Sequence, residues 1–482
     1  MVRIFVPFQN INFLSFIKIF LISLSILSFS FSQDNINFLP IKQLIEENGE
    51  YRTQTLKNDK NKFNLVYNQS FFVNTNLPNF ENMNGLYIPK GFGAQTGFLI
   101  YFKNKYLMLS AEPSMKEQSS YKLNIPEKND QFSILNDVPL DFKSAEKNIF
   151  TRNLGFVFSM QNFSFGYGNW NRWWGPGIHN SLTMSNNSMG FYNYFFHIKL
   201  ETMIPKIFQS IRYNFSEKIR NSHNSNFFLS SIEYILKFKE FELGISKNII
   251  SGGNNDIIWD KYDAALVIIS KNNAKYWDMI YDYYITYHLS SIGLKLFGEF
   301  GHPNREFNDK NPNNYPNHSR SAIFGFRKQG IFGNKNTVFG LEYARLVQSI
   351  YYNLIPSSNW YDNIRYNYSS YMGRRWSAHS GSDSDDLLFY LGFINDKTSL
   401  VYGINYERHG VTYHFPPEVK LESRFTFSYK INGLFILLKY ENEYFEHYGF
   451  VDSNINVWEK TFEPGSIQRT KSLLFSIEKT LY

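Results

Sequence analysis

The chain has 482 residues, no cysteine and a formal net charge of +7. Without a thiol it can form no disulfide and carry no lipid on cysteine, so any hold on a membrane must come from the fold itself. Aromatic residues make up 19% of the chain against a mean hydropathy of −0.36, and after residue 33 no stretch approaches the roughly 20 apolar residues of a membrane helix, which excludes a helical membrane protein.

Residues 1–32 read as a secretory signal peptide. Arg3 and Lys18 flank apolar sequence ending in "IFLISLSILSFSFS", no acid precedes Asp34, and Ser30 and Ser32 supply small residues for cleavage. Its removal takes away two cations and lowers the formal charge from +7 to about +5. Residues 33–60 are expected to form a small segment on the periplasmic side or in a lumen. Within it, residues 40–48 predict a short helix, with Pro40 at its start, Ile41, Leu44 and Ile45 on one face, and Gly49 at its end.

Residues 61–482 read as strands throughout. In residues 230–247, Ile232, Tyr234, Leu236 and Phe238 alternate with other residues, and the phase flips after Lys239-Glu240 to Phe241, Leu243 and Ile245, as in a tight hairpin. Residues 292–300 predict a strand with Ile292, Leu294 and Leu296 on a lipid face and Lys295 and Glu299 inward. Residues 322–327 and 337–345 predict a pair in which Phe339, Leu341 and Tyr343 face out and Glu342 in, and residues 387–394 with 400–406 predict another. Phe425, Phe427, Tyr429 and Ile431 share a face before Asn432-Gly433, a dipeptide suited to two positive-φ turn positions. Residues 112–143, 301–320 and 357–386 are polar and turn-rich, and are expected as long outer loops. In the last strand Leu473, Phe475, Ile477 and Leu481 are out of phase with Tyr482, which leaves its register open. Strands that alternate between apolar and polar sides, rich in Phe and Tyr and free of long apolar runs, describe an all-β transmembrane antiparallel barrel. A large soluble all-β protein would show the same alternation.

The densest chemistry lies in "GNWNRWWGPGIHNSLTMSNNSMGF", with Trp170, Arg172, Trp173, Trp174, Gly175, Pro176, Gly177, His179, Ser185, Asn186 and Asn187. A second stretch, "MGRRWSAHSGSDSDDLLFYLG", holds Gly373, Arg374, Arg375, Trp376, His379 and Asp383. Aromatic planes pack on the C–H faces of sugar rings, while amides, His and Arg fix hydroxyl and carboxylate groups in direction. The same residues also suit a structural corner, with Gly175 and Gly177 permitting a turn that Pro176 stiffens, Trp rings covering a plug, and Arg172 and Asn187 satisfying buried backbone. For Arg374, Arg375 and Trp376 a solvated loop is the competing reading. The run Ser382 to Asp386 lacks the glycine and distal Glu of a calcium loop.

The first stretch resembles the Wzi-type capsule assembly family of bacterial outer-membrane proteins, whose signature is Arg-Trp-Trp-Gly-Pro-Gly followed by a polar segment and Ser-Asn-Asn. The second is similar to that family's later Gly-Arg plus His-x-x-Gly-x-Asp element, carried by Gly373, Arg374, His379 and Asp383. The resemblance implies a barrel of about 18 strands in the outer membrane of a Gram-negative bacterium. It implies a lectin that attaches capsular or exopolysaccharide to the cell surface, with outer-membrane lipid around it and polysaccharide export machinery as a partner. No nucleic acid, cofactor or metal is expected.

Catalysis finds no motif: there is no Gly-x-Ser-x-Gly, no His-Glu-x-x-His, no phosphate-cradling glycine loop, and the ten histidines show no metal-ligand spacing in sequence. The acids Glu441 and Glu443 are near each other, but glycoside hydrolysis depends on their separation in space. The expectation is a binding protein and not an enzyme. A channel for sugars or oligosaccharides is the alternative.

Overall fold

The computed structural model describes residues 62–482 except 79–80, 85, 87, 120–145, 161, 203–206, 221–225, 253–264, 266–276, 304–319, 347–360, 362–368, 373, 396, 412–416, 449–466 and 482. The signal-peptide segment and the short helix expected at 40–48 lie outside the described residues. So does Tyr482.

The strands in chain order are β1 (Lys62–Asn74), β2 (Gly91–Lys103), β3 (Leu107–Gln118), β4 (Glu146–Met160), β5 (Phe163–Gly168), β6 (Asn193–Thr202), β7 (Ile207–Ser216), β8 (Ile219–Arg220), β9 (Asn226–Phe238), β10 (Phe241–Gly252), β11 (Trp277–Leu289), β12 (Leu294–Pro303), β13 (Ser321–Ile331), β14 (Asn334–Leu346), β15 (Ser370–Tyr371), β16 (Arg374–Arg375), β17 (Ser384–Ile394), β18 (Thr398–His409), β19 (Glu418–Ile431), β20 (Leu434–Glu446) and β21 (Gln468–Thr480). Each long strand pairs antiparallel with its neighbours, and β1 pairs with both β2 and β21, so the sheet closes on itself as an 18-stranded barrel. The two-residue β8 extends the pairing of β9 at one rim, and β15 and β16 form a separate small hairpin. Closure gives every strand two partners and leaves no exposed edge.

Alternation decides between a membrane barrel and a soluble sheet protein. The outer face carries large apolar side chains in the open, among them Phe98, Phe165, Phe196, Ile245, Leu391 and Ile404. The inner face of the wall carries buried Ser70, Ser246, Asp282, Glu299, Glu342 and Glu441. An apolar outside and a polar inside invert a water-soluble protein and match the lipid and lumen sides of a transmembrane barrel. Glu299 and Glu342 point inward as expected, and Phe339, Leu341 and Tyr343 share the outward face of β14.

Short connections gather at one rim. The β19–β20 turn has Asn432 at φ 46° and Gly433 at φ 73°, the pair of left-handed positions that Asn-Gly tolerates in a two-residue hairpin. The β9–β10 hairpin turns at Lys239-Glu240, as its phase flip requires. In membrane barrels such turns face the periplasm.

Several details differ from the sequence reading. Ile292, expected in a strand, lies in a 3-10 turn at Ser290–Ile292; Leu294, expected on the lipid face, is buried at the start of β12, and β12 runs on to Pro303 into the expected loop. Glu112, expected at the start of a loop, lies inside β3, buried and inward, where its carboxylate accepts bonds from Arg152 at 2.6 Å and Asn153 at 2.5 Å. Pro113 and a register shift between Ser110 and Glu112 hide the strand, because proline and a bulge both imitate a break. The loop expected over 357–386 ends earlier, since β17 begins at Ser384. Register in the last strand is fixed by pairing with β1 and β20: Leu473, Phe475 and Ile477 face out while Ser472, Leu474 and Ser476 turn in. Thr480 ends β21, and the N–H of the exposed Leu481 bonds the Leu65 carbonyl beyond it.

The long connections leave from the other rim, and parts of three of them, 75–90, 169–192 and 369–383, fold into the barrel. Leu86 and Ile88 pack there against Phe72, Leu437 and Leu474 of the wall. These rim segments occupy part of the lumen and leave a cavity of about 150 Å³ beside them.

Candidate functional site

The tryptophan-rich segment has no regular secondary structure between residues 169 and 192, so its backbone polar groups must find other partners. Two wall carboxylates supply them. Glu342 on β14 accepts the backbone N–H groups of Ile178 at 2.5 Å, His179 at 3.1 Å and Asn180 at 2.7 Å. Glu299 on β12 accepts the Leu182 N–H at 2.7 Å. On β10, the Asn248 side chain donates to the Thr183 carbonyl at 2.8 Å. Gly175 sits at φ 91°, a region that disfavours side chains, and a Cβ at Gly177 would run into the Asn180 carbonyl.

The tryptophans take different positions. Trp174 is completely buried, in a cluster with Met184, Phe191, Phe227, Leu229, Ile250 and Trp376. Trp170 is buried and donates its indole N–H to the Ser110 hydroxyl at 3.0 Å. Trp173 is only partly buried, and its indole donates to the Gly177 carbonyl at 2.9 Å. The buried Arg172 guanidinium lies 5.6 Å from the Phe195 ring centre. Pro176, His179, Asn186 and Asn187 are buried, and Gly175 is half-buried.

The second stretch meets the first although nearly 200 residues separate them. The Ser185 N–H donates to the Trp376 carbonyl at 2.7 Å, its hydroxyl to the Ser377 carbonyl at 2.5 Å, and the Asn187 amide to the Arg375 carbonyl at 3.3 Å. Arg374, Arg375 and Trp376 are buried, so the solvated-loop reading of them is replaced by a place in the plug. The cause is the β15–β16 hairpin, which folds inward and sets Trp376 edge-on to Phe191 at 5.7 Å. Asp383 is buried where its carbonyl accepts the N–H groups of Gly410 and Val411. Gly373 lies outside the described residues. A third segment joins through Asn82, whose N–H bonds the Asn187 side chain at 3.1 Å and whose amide bonds the His179 carbonyl at 2.8 Å.

A charged cluster fills the space beside this junction. The His179 and His379 rings lie 4.2 Å apart, next to Glu81, Asp386 and Glu407. Lys420 Nζ pairs with Glu81 and lies 3.2 Å from Glu407, 3.3 Å from Glu422 and 3.4 Å from Glu443. Arg424 pairs with Glu422 at 2.8 Å and with Glu441. Burial lowers the basicity of His179, and the neighbouring His379 and Arg424 charges lower it further. Burial works against the His379 cation too, but Glu81, Glu407 and Asp386 outweigh it and raise its pKa to about 9. Burial would raise the Glu81 carboxyl, but Lys420, His379 and Arg424 hold it well below the usual range. A cavity of about 150 Å³ opens beside the cluster, lined by Glu81, His179, Arg424, Glu112, Arg152 and Lys439 among others.

Glu441 and Glu443, noted in sequence as neighbouring acids, are both inward on β20 and held by Arg424 and Lys420. Asp385 and Asp386 point to opposite faces of β17: Asp385 pairs with Arg408 near the rim, while Asp386 accepts from Asn180 at 2.6 Å in the lumen. They do not form a calcium loop. Glu81, Glu407, Lys420 and Arg424 were not singled out by sequence reasoning, and Asp386 only as the end of the acidic run; for Glu407, Lys420 and Arg424, isolated charges at inward strand positions were the available signal, shared with any wet lumen.

No protein-family model and no curated protein matches the chain. Among solved structures it is similar to Wzi of Escherichia coli, an outer-membrane protein involved in group 1 capsule assembly and described as a carbohydrate-binding β-barrel, with 11% identity over 88% of this chain and 86% of that one and a TM-score of 0.56. It is also similar to OccK8 (OprE) of Pseudomonas aeruginosa, with 10% identity over 88% and 98% of the two chains and a TM-score of 0.46. OccAB2 of Acinetobacter baumannii gives 8% identity over 88% and 98% and a TM-score of 0.43. At these identities the likeness concerns the fold, and the chain has the architecture of an 18-stranded outer-membrane barrel.

Proposed function

We propose that this protein resides in the outer membrane of a Gram-negative bacterium and binds surface polysaccharide, holding capsular or exopolysaccharide at the cell surface as a lectin. The observation that carries the reading is the knitted plug: Glu342 and Glu299 tie the tryptophan segment to the wall, and the two signature stretches are bonded to each other across the lumen. A lumen occupied in this way leaves binding at the outer rim as the work of the long connections, and it argues against a sugar channel. The polysaccharide export machinery is the partner this role calls for. The Wzi fold likeness and the Arg-Trp-Trp-Gly-Pro-Gly stretch support the same reading.

The test is the partition of surface polysaccharide between washed cells and medium, in a strain lacking the protein and in the same strain with it restored. Deletion is expected to move polymer into the medium without lowering the total. A fall in the total, or no change at all, would reject anchoring and bring export or transport forward.

Of the signature tryptophans, Trp173 is the one that is only partly buried. Trp173→Ala is expected to weaken polysaccharide binding roughly fivefold, since a lost aromatic contact is worth about 1 kcal/mol. Heat-modifiable gel mobility should stay as in the parent. Loss of both would assign Trp173 to the plug alone.

A further inference from the structure

Four side chains from three stretches of the chain meet in the lumen: Glu81, His179, His379 and Asp386. His379 Nε2 lies 3.3 Å from Asp386 Oδ2 and 3.4 Å from Glu81 Oε2, and His179 Nε2 lies 3.6 Å from Asp386 Oδ2. A tetrahedral cation about 2.0–2.2 Å from nitrogen and oxygen donors sets its ligands about 3.3–3.6 Å apart, and these three separations fall in that range. Both rings are almost wholly buried, and neither Nε2 makes a hydrogen bond. Donor atoms of Glu81, His179 and His379 lie within 4.8 Å of one another, as do those of His379, Asp386 and Glu407.

The surroundings hold these donors in place. Asn180 donates to Asp386 Oδ2 at 2.6 Å. The His179 N–H is fixed by Glu342 and its carbonyl by Asn82. Such outer contacts are what orient the ligands of a built metal site.

We propose that His179, His379 and Glu81, with Asp386 beside the two rings, form a binding site for one divalent transition-metal cation, with zinc the best fit. Two imidazoles and two carboxylates suit a borderline cation, whereas calcium and magnesium call for oxygen donors alone. Bound there, the metal joins rim segments 75–90, 169–192 and 369–383 to β17, and it staples the plug whether or not the polysaccharide reading holds.

The experiment uses the full chain folded in detergent, stripped with a chelator and titrated with Zn²⁺ by calorimetry, with Co²⁺ as an optical probe. One Zn²⁺ per chain is expected, together with the intense visible absorption of tetrahedral Co²⁺. The His179→Gln/His379→Gln double variant should bind Zn²⁺ at least about a hundredfold more weakly. Absence of stoichiometric Zn²⁺, unchanged affinity in the double variant, or the faint spectrum of six-coordinate Co²⁺ would each overturn the site. If the double variant does not regain heat-modifiable mobility, the Co²⁺ spectrum of the parent protein decides: the tetrahedral form with nitrogen ligands upholds the site, and any other spectrum rejects it.

Discussion

Glu342→Ala is expected to open the lumen. The parent protein should show no steady conductance in planar bilayers, and the variant should show frequent or lasting openings while keeping heat-modifiable mobility. Glu342 is buried on β14, and its carboxylate accepts the N–H groups of Ile178, His179 and Asn180. Alanine orphans three donors inside the protein. At about 1–3 kcal/mol for each unsatisfied group, the segment loses several kcal/mol of attachment. The wall is spared, because the bonds of β14 to β13 and β17 run through the backbone. Glu342→Gln keeps one acceptor oxygen and should fall between. A silent Glu342→Ala variant would show that the plug does not depend on this anchor, and a steady open pore in the parent would reject the lectin reading in its simple form.

Trp174→Ala should carry the largest cost to stability. Its ring is fully buried among Met184, Phe191, Phe227, Leu229 and Trp376, and removing so large a side chain costs about 3–5 kcal/mol in transfer and cavity terms. The loss falls where the tryptophan segment, the β15–β16 hairpin and the wall meet. Limited proteolysis in detergent should therefore cut the variant within 169–192 under conditions that leave the parent whole, and thermal unfolding should begin earlier. Equal protease resistance would mean that the cluster contributes little to holding the segment. Trp173→Ala should leave this resistance unchanged, which separates the two adjacent tryptophans.

Much of the wall was legible because a strand has two sides and this one meets two solvents. Phe241, Leu243 and Ile245 announce lipid at every second position, and Asn432-Gly433 announces a turn by the backbone angles it allows. Legibility failed where the inner face becomes polar and a proline or bulge intervenes, as at Glu112-Pro113. The plug was legible only as composition. A run of amides, glycines and tryptophans says that backbone groups will need unusual partners, but those partners are single acids on distant strands. His179 and His379 form one pair in space and two isolated residues in sequence.

The plug's dependence on wall carboxylates also sets an order of events. The tryptophan segment precedes Glu299 and Glu342 in the chain by more than 100 residues, and its other partners, Arg375 to Ser377, come later still. None of those bonds exists until β12, β14 and the hairpin after them have taken their places. Closing of the lumen therefore requires β12, β14 and the hairpin after them to be in place, and cannot precede them. Slowing that step by mutation should leave a transiently leaky intermediate without changing the finished wall.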